Sequence, residues 1–346
     1  MKNETKSDYL DILQIFRGIA ALLVVCHHTI GSIRFYHKIE YSFFNYIAII
    51  GKFGVDFFFI LSGFIITYTA YQKYNLPNSF SNYIKNRLLR IYVPYLPIGV
   101  LMLLLYSFLP YLSNADREIS ILTSLTLIPN GNPALSVAWT LTFELCFYLL
   151  FSISFFSRKS WDYFVIFWSV LIITFNYTDM QLFRFTKTPF LKVLLSPYNI
   201  EFILGYFLAL LIIRKKAIDT KLLIMILTFS LTGFMYCILK NHPLFYFGIN
   251  FLFAISMFVV IYLAIVYYTK RINKTAIMML IGNATYSIYL IHNPLQMLIL
   301  RIYPKIKSGF EFVFALFFVL IVTSLLGYLY YQLFEKRAMR KIKTII

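Results

Sequence analysis

The chain has 346 residues, of which 60% are hydrophobic, 20% aromatic and only 13% charged, where a soluble domain carries about 25% charged residues. That balance excludes a soluble enzyme with a simple anchor, because apolar runs recur along the whole length and define a polytopic membrane protein. A formal charge of +18 does not mark a nucleic-acid binder here, since the basic residues are scattered between apolar runs and form no arm or face.

Ten membrane spans are expected, at about 12–33, 46–70, 91–110, 135–156, 161–177, 197–213, 221–239, 244–268, 276–300 and 310–333. The fold class is therefore an all-α integral membrane bundle. The first run, FRGIAALLVVCHHTIG (16–31), leads into a histidine pair rather than a small-residue cleavage site, so it reads as a retained span. An even count places both termini on one side. With that side cytoplasmic, the inner segments and the inner mouth of span one hold 21 of the 32 Lys and Arg, against 11 outside, as the positive-inside rule requires.

Two outer connections are longer, at 113–135 and 177–197, and the first reads as holding a short helix near 120–128. Cys26, Cys146 and Cys237 lie singly in apolar segments, with neither disulfide nor metal-site spacing. No repeat or linker divides the chain, so one membrane domain over 1–346 without an appended soluble domain is expected.

Ionisable side chains inside a membrane are expensive and are candidates for function. At about 1.5 Å per residue, His28 lies roughly 24 Å along span one and His292 roughly 24 Å along span nine. Asp56 in FGVDFFFILSGF and Glu144 in VAWTLTFELCFYL lie about 15 Å and 13 Å in from the outer ends of their spans. Four titratable residues on four helices thus reach similar depths. A neutral imidazole held by a carboxylate is how a general base is poised near neutral pH. The structural alternative is a histidine or carboxylate satisfied by a neighbouring helix, and it stays open for each.

Arg17 and His28 are eleven residues apart, about 20° from three full helical turns, so they share a face some 16 Å apart. His27 points about 80° away and is expected to bond a neighbour or face a loop. His292 precedes Asn293-Pro294, where a break or kink is expected to free a carbonyl.

On the inner side, NYIKNRLLRIYVPY places Lys85, Arg87 and Arg90 just before span three. Lys85 reads as part of the positive-inside excess. Arg87 and Arg90, three apart, share a helix face and suit a phosphorylated ligand. Ser62-Gly63 reads as close helix packing rather than as a nucleophile, because no strand-turn-helix elbow surrounds it.

Taken together, LDILQIFRGIAALLVVCHH, FGVDFFFILSGFIITY, NRLLRIYVPY, VAWTLTFELCFYLLF, LIGNATYSIYLIHNPL and YYQLFEKRAMR resemble, in order and over nearly the whole chain, the acyltransferase-3 family of multi-pass bacterial membrane proteins. The pattern is most similar to the exopolysaccharide O-acetyltransferase branch.

The resemblance implies a bacterial inner-membrane enzyme that takes an acyl group from cytoplasmic acetyl-CoA and passes it to a cell-surface or lipid-linked glycan. It places the family's arginine and histidine on Arg17 and His28, its arginine pair on Arg87 and Arg90, its acidic residue on Glu144 and its late histidine on His292. In the joined reading Arg87, Arg90 and Arg17 bind the donor, and His28, oriented by Glu144 or Asp56, activates the acceptor hydroxyl or carries the acyl group. The rival reading is a proton-coupled transporter or flippase of a lipid-linked glycan, which would also need buried His, Asp and Glu but would be expected to show two related halves with broken helices.

Overall fold

The computed structural model describes residues 6–112, 118–177, 188–240, 246–267 and 276–345. Of the two longer outer connections, 113–117 and 178–187 lie outside the described residues. Among the described residues there is no strand, only an isolated bridge between Ile119 and Asn132, and the chain is an all-α membrane protein.

The helices in chain order are α1 (Lys6–His37), α2 (Ser42–Lys52), α3 (Gly54–Tyr71), α4 (Ser79–Phe108), α5 (Ile121–Thr126), α6 (Trp139–Phe151), α7 (Arg158–Tyr177) and α8 (Pro189–Leu194). They continue with α9 (Tyr198–Ile213), α10 (Thr220–Leu239), α11 (Tyr246–Tyr267), α12 (Ile277–Asn283), α13 (Thr285–Ile302) and α14 (Gly309–Tyr330). A π-helical turn (Tyr331–Glu335) then leads into α15 (Lys336–Ile345).

Seven helical segments among the described residues are long and apolar enough to cross a membrane, with Tyr198–Ile213 a shorter apolar helix, against the ten spans expected. Three expected spans fall outside the seven: 197–213 is that shorter helix, and the other two differ as follows. α7 opens on the charged stretch RKSWD. The expected span 276–300 is two helices, α12 and α13, separated at Ala284.

The expected span 46–70 is likewise α2 followed by α3, with the Phe53 N–H turning back onto the carbonyls of Ile50 and Gly51. α4 begins at Ser79, twelve residues before the expected start, so the basic cluster lies inside a helix that also runs through Pro94 and Pro97. α13 runs on through Pro294 to Ile302, so the break expected there does not occur. The expected short helix in the first outer connection is α5, capped by Ser120, whose side chain accepts from the Thr123 N–H.

The chain divides into two compact units, Met1–Leu61 with Ile218–Leu244 and Leu252–Ile346, and Ser62–Ala217 with Phe245–Phe251. In the first, α1 and α13 run in the same direction. Val25 packs with Ala284 and Ile288, and further along Ile30 and Ile33 pack with Leu300, Phe312 and Val319. The large apolar faces that remain exposed, such as Phe314, Phe317 and Ile321 of α14, are what a lipid-facing surface requires.

The second unit has an aromatic core in which Phe147 stacks on Phe202 at 4.6 Å, beside Phe151, Trp161 and Tyr206. Tyr206 donates to Asp162. Gly63 of α3 meets α9 so closely that a Cβ there would collide with the Phe202 carbonyl. The close-packing expectation for Ser62-Gly63 therefore holds at the glycine.

Candidate active site

In the first unit the opening motif builds a histidine cluster. His28 is half-buried on α1, and its ring centroid lies 5.2 Å from that of His292 on α13. His292 is fully buried. Its Nδ1 is 2.6 Å from the Tyr289 carbonyl oxygen, which can only accept, so Nδ1 carries the proton and Nε2 presents its lone pair. That Nε2 is buried and has no hydrogen-bond partner among the described residues.

His27 lies edge-on to His28 at 4.9 Å and bonds the Ala48 carbonyl of α2 through Nδ1 at 2.7 Å. It is the neighbour-bonded histidine of the pair, as the helical phase predicts. α2 and α3 reach α1 here because Gly51 and Gly54, on either side of their junction, have no side chains to hold them off. A Cβ on Gly54 would lie 2.6 Å from the Ala20 carbonyl, and one on Gly51 3.1 Å from the His27 Cβ. Asp56 follows in the first turn of α3 and is 2% exposed, where the helix N-terminus favours a carboxylate. Arg17, on the same stripe of α1 as His28, donates to Gln14 Oε1 at 3.1 Å.

Gln296 was not singled out by sequence reasoning. One turn beyond His292, its Nε2 donates to Thr29 Oγ1 at 2.8 Å and to the Val25 carbonyl at 3.1 Å. Thr29 and Val25 flank His28 on α1, so this amide sets the register of the two helices at the histidines. The signal was available as a polar residue spaced four from His292 on one helix face.

The second unit holds Glu144, Arg87 and Arg90. Glu144 accepts from the Tyr148 hydroxyl one turn along α6, and from Ser62 Oγ at 3.4 Å. The Tyr148 ring in turn faces the Arg87 guanidinium at 5.5 Å, with Tyr83 at 5.7 Å, close enough for cation–π attraction. Arg87 also donates to Thr69 Oγ1 at 3.0 Å, and the Tyr83 hydroxyl donates to the Tyr148 carbonyl at 3.1 Å.

Arg90 lies within electrostatic reach of Tyr148 too. Tyr148 therefore stands between the carboxylate and the arginines. It escaped the sequence reading because a tyrosine among 28 carries no distinguishing signal until its partners are known. Glu201, at the start of α9, is a further buried carboxylate of this unit, 2% exposed. Of the two candidate carboxylates, Asp56 belongs to the unit of His28 and Glu144 to that of Arg87.

A fully buried imidazole with its tautomer fixed by a backbone carbonyl, set against a half-buried one, is chemistry for moving a proton inside a membrane. A family model described as an acyltransferase domain, Acyl_transf_3, matches residues 9–331. The chain belongs to the acyltransferase-3 family and is a multi-pass membrane acyltransferase. No curated protein and no solved structure matches it.

Proposed function

We propose that this acyltransferase moves an acetyl group from cytoplasmic acetyl-CoA to a hydroxyl of a cell-surface or lipid-linked glycan, in the inner membrane of a bacterial cell. The observation that carries the reading is the His28–His292 pair, in which a half-buried imidazole lies against a fully buried one whose Nε2 has no hydrogen-bond partner among the described residues. In this scheme His28 takes the proton of the acceptor hydroxyl as its oxygen attacks the thioester carbonyl. The carbon–sulfur bond breaks, and the coenzyme A thiolate leaves and recovers the proton. Asp56, the buried carboxylate of the same unit, is assigned to orienting the imidazoles.

The donor's phosphates are assigned to Arg87 and Arg90, whose planar guanidinium groups suit phosphate oxygens. By the family resemblance Arg17 shares in binding the donor. Glu144 is assigned to holding the Tyr148–Arg87 group in place.

The test is transfer of labelled acetyl from acetyl-CoA in membranes holding wild-type protein or His28→Ala at equal abundance. Label reaching a glycan or glycolipid with wild type alone is the expected outcome. Undiminished transfer by the variant would remove His28 from the reaction, and no consumption of acetyl-CoA by wild type would remove the donor.

A further inference from the structure

α14, the π-helical turn and α15 form one helical run, Gly309–Thr344, of 36 residues. It is about 54 Å long at the rise of an α-helix, against roughly 30 Å of hydrocarbon in a bilayer, so one end must stand in the headgroup layer. Composition says which end. Down one side, residues four apart are all exposed: Ile321, Leu325, Leu329 and Leu333, then Arg337 and Lys341. That spacing keeps them on one face, so a single lipid-facing row changes from hydrocarbon to cation at the start of α15. Arg340 and Lys343 are exposed beside it, while Ala338, Met339 and Ile342 are half-buried. α15 carries no Asp or Glu, and none of its four exposed cations is paired with a carboxylate among the described residues.

The apolar part of the row borders a groove. A cavity of about 780 Å³ lies between α1, α12 and α14, walled by apolar side chains such as Leu22, Ile281, Ile321 and Leu325, with Tyr328 its member nearest to α15. Its wall is open to hydrocarbon at Ile321 and Leu325, which are exposed. Tyr328 precedes Arg337 by nine residues, about 14 Å along the helix, close to the roughly 15 Å of hydrocarbon in one leaflet. Cys26 also lines the groove and stands about 200° of helix from His28, so the groove and the histidine cluster take opposite sides of α1.

We propose that this face is a binding site for an anionic phospholipid, with an acyl chain in the groove and the phosphodiester on Arg337, Arg340 and Lys341. A different observation sets each half of the ligand. The groove takes a chain, and cations held in the headgroup layer each favour anionic lipid by about fivefold. A soluble phosphate compound has nothing to place in the groove, and a neutral lipid has no net charge to give the cations. The separation of groove from cations matches a molecule one leaflet long. This site needs neither the donor nor the acceptor of the proposed reaction.

The test is native mass spectrometry of the whole chain in detergent, titrated with phosphatidylglycerol or with phosphatidylcholine of the same acyl chains. Wild type should bind phosphatidylglycerol at least about 10-fold more tightly, and the triple variant Arg337→Gln, Arg340→Gln, Lys341→Gln should bring the two lipids within about twofold. Lys85→Gln removes a cation on another helix and should leave the preference in place. Leu325→Trp fills the groove from an exposed position. It should weaken both lipids alike by about 5-fold, the loss of one or two buried methylenes of the chain, and keep their ratio.

Three results would each overturn the site. One is equal affinity of wild type for the two lipids. Another is a preference that survives the triple variant or falls as far with Lys85→Gln. The third is undiminished binding of both lipids by the tryptophan variant.

Discussion

His28 and His292 stand ring to ring, 5.2 Å between centroids, on two helices that run in the same direction and are tied beside them by Gln296. Two imidazoles so placed share one local field, and the state of one constrains the other. Each single replacement, His28→Ala or His292→Ala, should lower acetyl transfer by about 100-fold or more, the scale of a general base. The double variant should fall within about threefold of the worse single one. Multiplied losses, measured as initial rates in membranes of matched protein content, would show that the two act independently.

Tyr148 offers a separation of ring from hydroxyl. Tyr148→Phe keeps the ring beside Arg87 and removes the donor to Glu144, whereas Tyr148→Leu removes both. If the ring holds Arg87 for the donor, the leucine variant should raise the KM for acetyl-CoA by a further few-fold over phenylalanine, the factor expected of about 0.5–1 kcal/mol of cation–π attraction. Equal values in the two variants would leave the ring with no part in holding Arg87.

How much of this was legible in the sequence follows from what each feature depends on. Helix existence came from apolar run length, and the bounds of α9 and α11 differ from expectation by two residues or fewer because lipid demands a full run of apolar side chains. The stripe shared by Arg17 and His28, and the aside position of His27, needed only the helical period. The junctions at Phe53 and Ala284 were illegible. Each is closed by local backbone bonds without proline, while Pro294, where a break or kink was expected, sits inside a continuous helix, as do Pro94 and Pro97. Neighbouring helices satisfy the groups a proline frees in a membrane protein. Gln296 and Tyr148 gained meaning only from partners on other turns and other helices.

The fold itself can be tested at two glycines. Gly63→Ala drives a methyl into the Phe202 carbonyl, backbone against backbone, whereas nothing lies within 4 Å of a Cβ on Gly31. The first should cost about 1–3 kcal/mol, as overpacking does. The second, in the interior of α1, should be neutral or stabilise by up to about 1 kcal/mol through helix propensity. Melting of the detergent-purified proteins followed by size-exclusion would read the difference, and a Gly63→Ala protein as stable as wild type would show that α3 and α9 do not meet this closely.

The basic cluster on α4 separates specific from general electrostatics. Lys85 reads as lipid-facing charge, and Arg87 is held by Thr69 and two tyrosine rings, so the three basic residues should not respond alike. Arg87→Ala and Arg90→Ala should each raise the KM for acetyl-CoA about 10- to 100-fold before the saturated rate falls, the equivalent of about 1.5–3 kcal/mol for a charged hydrogen bond. Lys85→Ala should stay within about twofold. Arg87→Lys keeps the charge but loses the planar fork, and should fall nearer to alanine than to wild type. If Lys85→Ala matched the arginine variants, or if lysine fully replaced Arg87, the cluster would be acting through net charge at the membrane surface, and the donor phosphates would have to be held elsewhere.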